Sequence, residues 1–145
     1  MTSLSRITAP PTTIVAHLPL FLSRVAAGFP VHTPSEDYVD GELDLLELLI
    51  QHPSATFCCR VSGDSMEGAG IFDGDLLIVD RSATPRHGDV VVAAVAGEFT
   101  CKYLDKNRHR LLPANAQYRP IEILDGSGLV IEGVVLHSIR HHRNK

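Results

Sequence analysis

Ser62-Gly63-Asp64-Ser65-Met66, followed by Asp73-Gly74-Asp75 and the apolar run Leu76-Leu77-Ile78-Val79, is the stretch that decides the fold of this 145-residue chain. Taken alone, its small polar residues make a tight turn in which Ser and Asp side chains bond the nearby backbone. The apolar run is too short for a helix and lacks polar alternation, so it reads as a strand buried on both faces. A second such run, Val90-Val91-Val92-Ala93-Ala94-Val95, lies downstream. Working outward, strands are expected at 55–61, 76–80, 89–95, 98–104, 110–113 and 129–138. Turn signals at Asp73-Gly74, Ala96-Gly97 and Asp125-Gly126 separate them. The fold class is therefore mostly β, with curled, layered sheets rather than one open sheet.

Upstream of this body the pattern changes. Five prolines, Pro10, Pro11, Pro19, Pro30 and Pro34, forbid long helices there and give an extended N-terminal arm. Leu18, Leu20, Phe21, Leu22, Val25 and Phe29 make it more than a polar linker, and such residues call for a surface to lie against. Ala26-Ala27-Gly28-Phe29-Pro30 is a small-residue bend that an extended-substrate cleft could accept, though an ordinary flexible bend reads the same way. Ser35 is placed to cap a helical turn through Glu36, Asp37 and Tyr38. A short docking helix is expected over 43–50, ended by Pro53. The chain thus divides into an arm and linker, 1–42, and a body, 43–145.

Composition narrows the function. Apolar content of 44% with 21% charged residues fits a packed domain, and a net charge of -4 argues against direct DNA binding through a broad basic surface. Cys58, Cys59 and Cys101 are odd in number and suggest no disulfide framework, which fits a reducing cytoplasm. Residues 14–25 are broken by His17, Pro19, Ser23 and Arg24, so neither secretion nor membrane spanning is expected. His137 and His141 are spaced for one helical face, but a strand running into the basic tail Arg140-His141-His142-Arg143 is the better reading, and no metal or other cofactor is called for.

A serine becomes a nucleophile at neutral pH only when a base takes its proton. Ser65 is the candidate nucleophile. No Gly-x-Ser-x-Gly elbow is present, and His87 with Asp89 or Asp75 is a possible triad that nothing in the sequence positions. Lys102 is the other candidate base, provided burial lowers its pKa. On its strand, alternation puts Thr100, Lys102 and Leu104 on one face, with Thr100 within reach of the lysine amine. Alternation by itself also makes Lys102 an ordinary solvated lysine.

The ordered set Ser62-Gly63-Asp64-Ser65-Met66, Asp73-Gly74-Asp75, His87-Gly88-Asp89 and Phe99-Thr100-Cys101-Lys102 resembles the LexA-like serine peptidase family, above all its short UmuD-type mutagenesis proteins. The likeness runs from Leu20-Phe21 to Gly133-Val134-Val135 and includes Gln51-His52-Pro53-Ser54-Ala55-Thr56. It implies a LexA-like peptidase body, with Ser65 as nucleophile, Lys102 as base, Thr100 as its support, and self-cleavage between Ala27 and Gly28. The family's bond commonly has Cys before Gly; here it is Ala. The backbone N–H groups of Ser65 and Asp64 are candidate donors to the oxyanion.

The resemblance further implies a homodimer whose cleavage is promoted by a RecA-type filament on single-stranded DNA after DNA damage. The shortened dimer is expected to join a Y-family polymerase in translesion synthesis. The Pro-broken arm does not read as a three-helix DNA-binding domain, so a repressor is not expected. A reading of another class also stands: a non-catalytic dimeric binding module of the same fold, acting on a polymerase or recombinase by contact alone.

Overall fold

The computed structural model describes residues 17–21, 24–28 and 39–143. They fall into two compact units, Met1–Leu48 and Leu49–Lys145.

In the first unit, β1 (His17–Phe21) pairs antiparallel with β2 (Val39–Asp44), Leu18 opposite Leu43 and Leu20 opposite Gly41. The extended arm thus includes a two-stranded ribbon, which the sequence did not disclose. Leu18, Leu20 and Phe21 remain exposed on it. Helix α1 (Leu45–Leu49) is shorter than the expected 43–50. Its start is set by Asp44, whose Oδ1 accepts the N–H groups of Leu46 at 3.1 Å and Glu47 at 3.2 Å, while Leu43 is taken up by the ribbon. The helical turn expected at 35–38 lies outside the described residues, as does the Phe29-Pro30 pair.

The second unit is one curled antiparallel sheet of seven strands. These are β3 (Thr56–Arg60), β4 (Leu76–Asp80), β5 (Val90–Val95), β6 (Glu98–Asp105), β7 (Arg110–Leu112), β8 (Ile121–Glu122) and β9 (Val130–Ile139). Their spatial order is β3-β4-β9-β5-β6-β7-β8. The two apolar runs are buried on both faces because the curled sheet carries a core on each side. Leu77, Val79 and Val92 join Met66 and Ile71 in one cluster, whereas Val91 and Ala93 join Leu104, Leu111 and Val134 in the other. Successive residues of β5 therefore serve opposite cores, as strand alternation requires.

The curl has a local cause in β9. Its register slips against β4 between Ile78 and Val79 and against β5 between Val92 and Ala93, each time leaving one extra β9 residue, Leu136 and Glu132. Such bulges bend a strand and increase its twist. Between them Gly133 lies against β4 so closely that a Cβ there would fall 2.7 Å from Val79 Cγ1 and 3.0 Å from the Asp80 carbonyl oxygen. Gly133→Ala is expected to destabilise the body by about 1–3 kcal/mol through overpacking. Denaturant unfolding of variant and parent with equal slopes and a lowered midpoint would register it.

The hairpin β5–β6 turns at Ala96 and Gly97, both at positive φ, 51° and 83°. That is the two-residue turn whose twist matches the flanking strands, and it brings Lys102 opposite Val91.

Candidate active site

The loop between β3 and β4 carries Ser65, and several independent ties hold it. Asp73 Oδ1 accepts the Gly63 N–H at 2.8 Å. The Gly74 N–H donates to the Val61 carbonyl and the Val61 N–H to the Asp75 carbonyl, both at 2.8 Å. Met66 is inserted into the core at 2% exposure, directly beside the serine. Asp75 is buried and held by both Nε and a terminal nitrogen of Arg140, at 2.9 and 2.8 Å, and Arg140 stacks 4.1 Å over the Phe72 ring. The Arg140 bonds keep the Asp75 carboxyl below the usual carboxylate range against the opposing cost of burial. The Asp-Gly-Asp motif is thus a brace for the serine loop.

From the other side comes the segment after β7. The Ala114 N–H donates to the Ser65 carbonyl at 2.7 Å, and the Gly68 N–H donates to the Ala114 carbonyl at 2.8 Å. Asn115 Nδ2 donates to the Asp64 carbonyl at 3.1 Å, and the Tyr118 hydroxyl donates to the Asp64 carboxylate.

Lys102 is 8% exposed. Alternation alone made it a solvated lysine; its amine is instead enclosed beside the Ser65 loop. Its Nζ lies 2.8 Å from Ser65 Oγ, 3.0 Å from Thr100 Oγ1 and 3.0 Å from the Cys101 carbonyl oxygen. No carboxylate pairs with it among the described residues. Burial lowers its pKa from the ordinary lysine value, partly offset by the neighbouring Cys101 thiol. That thiol is itself pushed up to about 11 by desolvation.

The amine and hydroxyl face a cleft of about 240 Å³ whose walls include Val61, Met66, Leu77, Val92 and Phe99. The histidine alternative is not assembled. His87 Nδ1 accepts the Lys106 N–H, Asp75 is engaged by Arg140, and Asp89 accepts the Arg86 N–H. Ala27 and Gly28, in the first unit, are exposed bend residues, and a Cβ on Gly28 would meet nothing within 4 Å.

Comparison with known proteins places the chain in a family. The profile of the family described as Peptidase S24-like matches residues 19–136. The chain belongs to the Peptidase S24-like family. Within that family it is 45% identical to Protein MucA of Salmonella typhimurium over 88% of each chain. It is 44% identical to Protein ImpA of Shigella flexneri, over 86% of this chain and 85% of that one. LexA repressor 2 of Xanthomonas axonopodis pv. citri is 41% identical over 89% of this chain and 60% of its own length. The Peptidase S24-like assignment bears out the resemblance seen in the serine and lysine motifs, and the mostly-β body accords with it.

The sequence reading missed Asn115, Tyr118 and Arg140. Asn115-Ala116-Gln117-Tyr118 forms a turn after Pro113, in which Asn115 Oδ1 accepts the Gln117 N–H, and such a turn leaves no mark in the sequence of what its side chains reach. Arg140 looked like part of a basic tail because its partner, Asp75, is 65 residues away.

Proposed function

We propose that this protein is a self-cleaving serine peptidase of the SOS response, in which Ser65 and Lys102 cut the chain between Ala27 and Gly28. The observation that carries the reading is the set of three neighbours around Lys102 Nζ. A neutral amine has two N–H bonds and one lone pair. Thr100 Oγ1 and the Cys101 carbonyl accept the two hydrogens, which leaves the lone pair for the Ser65 hydroxyl proton.

In the reaction Lys102 takes that proton as Ser65 Oγ bonds to the Ala27 carbonyl carbon. The carbonyl π electrons move to oxygen, and the N–H groups of Asp64 and Ser65 stabilise the resulting oxyanion. Neither N–H donates to another group among the described residues. Collapse breaks the Ala27–Gly28 C–N bond, and the Gly28 nitrogen receives the proton from Lys102. Water, deprotonated by Lys102, then hydrolyses the Ala27 ester on Ser65.

Residues 1–42 serve as the cleavable arm and linker, and 43–145 as the peptidase body. Kinship with MucA and ImpA over most of their lengths supports a homodimer that is cut when a RecA-type filament forms on single-stranded DNA. The shortened dimer then acts as an accessory to a Y-family translesion polymerase, and its place of work is the cytoplasm, where that DNA lies. No helix among the described residues is long and apolar enough to cross a membrane.

The test is intact-mass analysis of purified protein incubated over a range of pH. The free-base form of Lys102 is the active one, so the cleavage rate is expected to rise about tenfold per pH unit below its depressed pKa. The rate should level off before the ordinary lysine value of 10.5 is reached. The product should begin at Gly28. A rate flat in pH, or the same product from Ser65→Ala, would refute the mechanism; silence at every pH, even with recombinase filaments added, would leave the non-catalytic binding module.

A further inference from the structure

We infer that Asn115 is a positioning residue for the oxyanion donor, acting through the Asp64–Ser65 peptide plane; the inference rests on the self-cleavage reading above. A peptide group is planar and, when trans, its C=O and N–H point in opposite directions. No cis peptide bond occurs among the described residues. Holding the Asp64 carbonyl therefore aims the Ser65 N–H. Two donors hold that carbonyl: Asn115 Nδ2 at 3.1 Å and the Glu67 N–H at 3.3 Å.

The Asn115 bond does more than orient. A donor on the carbonyl draws electron density from the amide nitrogen, so the N–H on the other side becomes a stronger donor to a developing negative charge. The next peptide is fixed independently by the Ala114 N–H on the Ser65 carbonyl. Asn115 is itself held by its turn, with Oδ1 accepting the Gln117 N–H at 2.9 Å and its carbonyl accepting the Tyr118 N–H at 3.1 Å. Tyr118 returns its hydroxyl to the Asp64 carboxylate, so the residue that supplies one donor is gripped at both its side chain and its carbonyl. Asn115 makes no bond to Ser65 Oγ or Lys102 Nζ, and its role is separable from making the nucleophile.

The experiment compares full-length wild type, Ser65→Ala, Asn115→Ala and Asn115→Asp. The aspartate keeps the acceptor for the Gln117 N–H and lacks the amide donor. Both Asn115 variants are expected to cleave themselves at least about tenfold more slowly at the high-pH plateau, short of the roughly 10²–10³-fold lost when an oxyanion donor is deleted outright. For Asn115→Ala the pH midpoint of the profile should stay that of the wild type, since Lys102 is untouched.

A second measurement removes the need for an oxyanion. In a Ser65→Cys background, alkylation of the introduced thiol by iodoacetamide, followed by peptide mass mapping, should proceed equally with and without the Asn115→Ala change. Wild-type plateau rates in both Asn115 variants, while Ser65→Ala is silent, would overturn the inference and leave the peptidase reading intact. A shifted pH midpoint or slowed alkylation in Asn115→Ala would also overturn it, by showing that the loop had moved as a whole. Cleavage by Ser65→Ala, or none by wild type even with recombinase filaments added, would overturn the peptidase reading and this inference together.

Discussion

Replacing Lys102 by methionine is expected to abolish self-cleavage, by at least about 10²–10⁴-fold if only the general base is lost, while the body stays folded. The chain length and most of the packing survive the change; what goes is the lone pair 2.8 Å from Ser65 Oγ. The stability effect has a sign of its own. Lys102 has a lower pKa in the folded protein than in the unfolded chain, so between those values the unfolded chain binds more protons. Its destabilising contribution is absent above the unfolded value and complete below the folded one. Lys102→Met should therefore gain on the parent as pH falls from the ordinary lysine value of 10.5 toward the depressed one, and keep that advantage at lower pH. Ser65→Ala should be equally silent in cleavage but keep the parent's pH dependence of stability. Thermal unfolding at two pH values beside intact-mass analysis reads both; a Lys102→Met variant that still released a chain beginning at Gly28 would end the dyad proposal.

Gly68→Ala is the second change with a large expected effect, because it strikes stability and chemistry through one contact. A Cβ at 68 would lie 2.6 Å from the Ala114 carbonyl oxygen and 3.3 Å from its carbon. Neither is the end of a flexible side chain. The backbone at 114 must retreat, weakening both the Gly68 N–H bond to it and its own N–H bond to the Ser65 carbonyl. Overpacking of this kind costs about 1–3 kcal/mol. A displacement of about 1 Å in a catalytic group costs on the order of 10²-fold in rate. Gly68→Ala should accordingly lower the unfolding midpoint and slow self-cleavage roughly a hundredfold, and a variant that cleaved at the parent's rate would show that the 113–118 segment does not set the position of Ser65.

The body strands were legible because their determinants are local. The runs 76–79 and 90–95 carry their burial in their own composition, and Ala96-Gly97 announces the turn between β5 and β6. The expected strand at 98–104 is observed as Glu98–Asp105. By contrast, β1 and β2 are short pieces separated by 17 residues, and β1 contains Pro19, so their pairing leaves little mark on either segment. β8 is only two residues long and exists because β7 offers an edge to it.

The site divides in the same way. Ser65 and Lys102 could be singled out from motifs, but that a strand lysine is enclosed depends on the loop carrying Ser65, 37 residues away, meeting its amine. The supports Asn115, Tyr118 and Arg140 were hidden for a related reason: each acts on a residue 51, 54 or 65 positions away.

The place of β9 in the sheet also governs when the molecule can come into being. It lies between β4 and β5, which have no ladder to each other among the described residues, so until residues 130–139 leave the ribosome no strand pairing joins β3–β4 to the piece that runs from β5 to β8. Joining them means closing a loop of many tens of residues on both sides at once, the kind of non-local pairing that slows folding. A nascent chain thus lacks a closed sheet beneath Ser65 and Lys102 until its last strand emerges, and the proposed cut in the arm, made first, is expected to wait for the end of translation.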